Sequence, residues 1–91
     1  MKYIKNIKQY FICRKYGIKN WDSNKDGSIN VNGNVDLYSE NLSTLPIKFK
    51  KVDGTFRCWN NSLINLINGP EYVTGGFECE SNQISSFEGT R

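Results

Sequence analysis

The chain contains no histidine. Imidazole is the usual general base and a common metal ligand near neutral pH, so most hydrolytic and zinc-dependent mechanisms lose their customary residue. No glycine-rich phosphate loop, serine elbow or metal-ligand cluster replaces it. Glu78 and Glu80 lie two apart on an expected exposed strand, and nothing around them suggests a desolvating pocket. Cysteine is sparse and odd in number: Cys13, Cys58 and Cys79 show no paired spacing, which argues against a secreted disulfide framework. No apolar run approaches the ~18 residues of a membrane span. Lys5 and Lys8 interrupt every apolar stretch near Met1 long enough for the core of a secretory signal. These absences predict a protein that is not an enzyme, has no cofactor, and sits in a reducing cytoplasm away from membranes.

The 91 residues allow one domain. A chain this short buries roughly 60–65% of its unfolded surface, so its stability is modest. The balance of 12 Lys plus Arg against 9 Asp plus Glu hides a polarity. Lys2, Lys5, Lys8, Arg14, Lys15 and Lys19 face no acid before residue 21, whereas Glu71, Glu78, Glu80 and Glu88 crowd the other end.

The strongest pattern is a repeat of 21 residues. It links Val31, Val52 and Val73, then Gly33, Gly54 and Gly75, then Val35, Phe56 and Phe77. It goes on to link Leu37, Cys58 and Cys79, then Leu42, Leu63 and Ile84, then Leu45, Leu66 and Phe87. Apolar residues in fixed phase at such a period predict a solenoid. The expected fold is α+β: an N-terminal helix capping a short repeat solenoid with a parallel β-sheet. Residues 1–91 form a single domain, with a helical cap at 1–17, a hairpin at 18–30 and three repeats at 31–91. Side chains two apart on a strand share a face, so the linked residues point inward and their neighbours outward. The glycines mark turns with positive φ or close backbone approach.

Residues 2–16 have helical spacing, with Ile4, Ile7 and Phe11 as the expected inward stripe. Gly17 and Ile18 should close the helix in a Schellman-type end. Asp26-Gly27 is a hairpin signal between Trp21 and Ile29. The same stretch imitates a calcium loop, with Asp22, Asn24 and Asp26 at positions 1, 3 and 5. Position 12 is Gly33 rather than a bidentate Glu, so a polar turn is the preferred reading and no metal is expected. Cys58 and Cys79 fall on adjacent strands as small hydrophobes or, alternatively, as a redox pair.

The segments from Val35, Phe56 and Phe77 onward resemble leucine-rich repeats of the short bacterial type. Nearly the whole chain is similar to small leucine-rich-repeat-like proteins encoded by bacteriophages. Glu40 departs from the pattern that Asn61 and Asn82 keep. The resemblance implies a protein-binding role through the exposed strand face. For a phage protein it implies blocking a host protein, such as a CRISPR-type defence nuclease complex, in the host cytoplasm.

That face should carry Asp36, Arg57 and Glu78 in one column, and Tyr38, Trp59 and Glu80 in another. One reading has the charged column serve only to pair Arg57 with its acids and the helix cover the aromatics. Otherwise Tyr, Trp and Arg are the residues expected at a binding hot spot. One alternative is a nucleic-acid-binding accessory protein using Lys2, Lys5, Lys8, Arg14, Lys15 and Lys19, extended by Lys48, Lys50 and Lys51. Another is a structural protein that forms homo-oligomers through its C-terminal edge at 77–87.

Overall fold

The computed structural model describes residues 7–84. Ile4 and Phe87 therefore lie outside the described residues. Helix α1 spans Ile7–Lys15 and ends as its sequence dictates. Gly17 has φ 68°, Ile18 N donates to Cys13 O at 2.8 Å, and Gly17 N donates to Arg14 O at 3.4 Å. These are the two bonds of a Schellman end, and buried Ile18 and Cys13 supply its apolar contact.

The buried face of α1 differs from the expected one. Ile7 is 71% exposed and Phe11 59% exposed. Gln9 and Cys13 are buried instead, with Ile12 and Tyr16 partly buried against the core. Both sets have helical spacing, so periodicity alone does not choose between them. The choice falls to Gln9, whose Nε2 donates to Gly27 O at 2.8 Å and whose Oε1 accepts from Ser23 Oγ. A buried amide with both ends satisfied anchors the helix to the hairpin.

That hairpin pairs β1 (Trp21–Ser23) antiparallel with β2 (Ile29–Val31). Gly27 has φ 88° and donates its N–H to Asn24 O at 3.1 Å, while Asn24 N donates to Ser28 O at 2.8 Å. Strand β2 then begins a parallel run, because β4 (Phe49–Val52) pairs with it and β6 (Tyr72–Val73) pairs with β4. In β4 the apolar Phe49 and Val52 are buried while Lys50 and Lys51 between them stay exposed. The second sheet is β3 (Val35–Asp36), β5 (Phe56–Arg57) and β7 (Phe77–Glu78), all parallel. Its register is Val35↔Phe56↔Phe77 and Asp36↔Arg57↔Glu78, each step being 21 residues. The protein is thus α+β, with one helix among the described residues and two largely parallel sheets.

The core lies between the sheets. Phe49 meets Phe56 edge-on with centroids 5.0 Å apart, and Phe56 stacks on Phe77 at 5.5 Å. Val31, Val35, Leu37, Val52, Cys58 and Leu63 are all buried around them. Burial fades toward β7, where Phe77 is 42% exposed. A Cβ on Gly54 would lie 2.6 Å from Gly33 O, so only glycine lets these backbones approach.

The turns after the second sheet are stitched by asparagine. Asn61 Oδ1 accepts from Glu40 N and Leu42 N, both at 3.0 Å. Its Nδ2 donates to Leu37 O at 2.8 Å and Cys58 O at 2.9 Å. Asn82 repeats this one segment later, accepting from Leu63 N and donating to Cys58 O and Cys79 O. Each asparagine therefore ties its own turn to the one before it. Glu40 stands on edge strand β3's segment, where no earlier strand of that sheet exists among the described residues, so an amide there would have no earlier turn to tie. That accounts for the one missing asparagine. No described helix is long and apolar enough to cross a membrane.

Candidate protein-binding face

The outward side of the second sheet brings together all six residues expected there. The backbone ladder runs past the formal strands: Leu37 N donates to Arg57 O at 2.7 Å, and Cys58 N to Glu78 O at 2.9 Å. It reaches Ser39 N to Trp59 O at 3.2 Å and Asn60 N to Glu80 O at 3.0 Å. Ser39, Asn60 and Ser81 then all adopt left-handed φ, which ends the ladder and bounds the face. Asn and Ser tolerate that conformation at modest cost because their side chains bond locally.

Arg57 sits between two acids. Its Nη1 is 2.9 Å from Asp36 Oδ1 and its Nε 3.3 Å from Glu78 Oε1. The hydrogen bond to Asp36 is the leading reason its pKa is raised. Exposed pairs of this kind contribute about 0–1 kcal/mol each, so they orient the guanidinium more than they stabilise the fold. One cation against two carboxylates, with exposed Glu80 alongside, leaves the face net negative.

Tyr38 and Trp59 form the second column. Their rings are stacked with centroids 4.9 Å apart and planes within 7°. Tyr38 is 45% exposed and Trp59 half-buried. The described part of α1 is anchored to the hairpin through Gln9, and the aromatic pair stays open to solvent. A preorganised, solvent-facing aromatic pair offers large contact area at little further entropic cost.

Behind the face, Cys58 is buried and Cys79 half-buried, and neither forms a disulfide. Burial first, then the charges of Cys79 and Glu80, pushes the Cys58 thiol up to about 12. Burial also raises Cys79. The folded state therefore holds the Cys58 proton more tightly than the unfolded chain, whose thiol titrates near 8.5. Its contribution to stability is complete below about pH 8.5 and is lost as pH rises toward 12. Ellman's reagent at pH 8 should leave Cys58 untouched in native protein and modify it fully in urea. Unfolding free energy should fall above pH 9, with a shallower slope in Cys58→Ala.

The expected basic set is split. Lys2 and Lys5 lie outside the described residues. Arg14 and Lys19 border a small groove beside Tyr10 and Trp21, and Arg14 Nη1 donates to Tyr10 Oη at 3.4 Å. Lys15 lies over the Tyr16 ring at 5.4 Å. Lys8 faces a different cleft together with Lys25 and Lys48. The calcium-like stretch is occupied by its own bonds. Asp26 Oδ1 accepts from Ser28 N and Ser28 Oγ, and the Asn24 amide donates to Ser28 Oγ and Asn30 Oδ1. Those bonds with Ser28, helped by Lys48 and Lys50, lower Asp26 to about 2. Asp22 pairs with Asn30 within the regular hairpin. Among the described residues no three His, Cys, Asp or Glu side chains cluster as metal ligands would.

No family model matches the chain, and no curated protein or solved structure matches it either.

Proposed function

We propose that this chain is a short leucine-rich-repeat-like solenoid acting as a protein-binding module, with no catalytic step. Tyr38 and Trp59 are the anchors, Arg57 the polar centre, and Asp36, Glu78 and Glu80 the acidic rim. The partner is a protein with a basic surface. For a chain resembling phage proteins, that partner is a host protein held by steric occupation, such as a defence nuclease complex whose nucleic-acid groove is basic.

The observation that carries this reading is the open stack of Tyr38 on Trp59, centroids 4.9 Å apart, beside the charged column of the same sheet face. Tyr, Trp and Arg dominate binding hot spots, and charges at a rim speed encounter and exclude wrong partners. The solenoid part rests on the 21-residue register, which recurs in both sheets as Val31↔Val52↔Val73 and Val35↔Phe56↔Phe77.

The test is affinity capture from host lysate, with wild type beside Tyr38→Ala/Trp59→Ala. The double variant should bind the captured partner at least about 30-fold more weakly, as two hot-spot residues require. Its circular-dichroism spectrum should not change. Undiminished capture by the double variant would remove this face from consideration.

A further inference from the structure

A cleft of about 430 Å³ opens where α1, the hairpin turn and the segment entering β4 meet. Three lysines line it, and each comes from a different element: Lys8 from the helix, Lys25 from the turn and Lys48 ahead of β4. Asn24 and Asn68 add carboxamides, while Ile12 and Ile47 form an apolar wall. No acidic residue lines it among the described residues. Like charges gathered in one concavity repel, and low-dielectric walls focus their field on whatever anion enters. The anchor that builds the cleft is Gln9, whose bonds to Gly27 O and Ser23 Oγ fix the turn carrying Lys25 against the helix carrying Lys8.

The geometry points to an anion site, and we propose that this cleft binds a chain of phosphoryl groups. Ammonium groups are compact point charges suited to phosphate oxygens of any orientation. Among the described residues no aromatic ring lines the cleft, so they offer no platform for stacking a nucleobase. Its volume falls in the range of small-molecule pockets, which suits an oligophosphate. The ligand is therefore recognised by its phosphates, whether free oligophosphate or the triphosphate of a nucleotide.

An internal competitor stands beside the site. Asp26 Oδ2 lies 3.7 Å from Lys48 Nζ, while its Oδ1 is held by Ser28. An incoming phosphate must draw Lys48 away from this carboxylate. Removing the competitor should therefore tighten binding, a gain that no folding defect produces.

The experiment is calorimetry on the full chain at low salt with inorganic tripolyphosphate, a nucleoside triphosphate and a single-stranded oligonucleotide. Tripolyphosphate and the nucleoside triphosphate should bind one to one, and more weakly as salt rises. Lys25→Gln/Lys48→Gln should weaken binding at least about tenfold. Asp26→Asn, which keeps an acceptor for Ser28, should strengthen it several-fold. Lys19→Gln, outside the cleft, should leave it unchanged, as should Tyr38→Ala/Trp59→Ala, which separates this site from the protein-binding face. Absence of heat with tripolyphosphate, equal weakening by Lys19→Gln, or no gain from Asp26→Asn would each overturn the proposal. So would binding confined to the oligonucleotide.

Discussion

Asn61→Asp should lower the unfolding free energy by about 2–4 kcal/mol. The carboxylate still accepts from Glu40 N and Leu42 N, but it cannot donate. Leu37 O then loses the Asn61 amide, Cys58 O keeps only Asn82 Nδ2, and both carbonyls face a negative charge at 2.8 and 2.9 Å. Leaving one buried carbonyl unsatisfied costs about 1–3 kcal/mol, and the repulsion at both carbonyls adds to it. A domain of this size has only about 5–14 kcal/mol in total. The expected fall in melting temperature is about 8–32 °C, read by circular dichroism. Glu40→Asn is the matched control, because among the described residues no earlier strand lies beside it in that sheet. It should shift stability by no more than about 0.5 kcal/mol. A gain from Glu40→Asn as large as the loss from Asn61→Asp would show that the asparagines act only within their own turns.

Phe56→Ala should cost about 3–5 kcal/mol in a urea titration. Its ring is fully buried and is the contact through which the two sheets meet, edge-on to Phe49 and stacked on Phe77. Truncation removes the transfer term and leaves a cavity that β-strands paired on both sides cannot close. Phe77→Ala should cost much less, since that ring keeps 42% of its surface in water. Equal costs at the two positions would place the centre of the core elsewhere.

Much of this architecture is readable from local chemistry. Gly17 and Ile18 terminate α1 because a left-handed residue followed by an apolar one completes the helix end by itself. Asp26-Gly27 turns the hairpin because Asp caps Ser28 and Gly accepts φ 88°. The six residues of the candidate face are likewise legible, as alternate positions between apolar ones. The helix face is not. Ile7 and Phe11 look like core, while Gln9 looks like surface until Gly27 and Ser23 are seen to satisfy it. The strand at Phe49–Val52 was hidden by its lysines, and the role of Asn61 by the distance to its partners.

By itself, then, the amino-acid order settled which residues lie 21 apart, where the helix and hairpin end, and that the class is α+β. Those properties follow from dihedral preferences and from the spacing of apolar side chains. Only the tertiary structure decided which side of α1 is buried, that Tyr38 and Trp59 remain uncovered, and that Lys8, Lys25 and Lys48 share one cleft. These depend on contacts between segments far apart in the chain, and no local periodicity encodes such contacts.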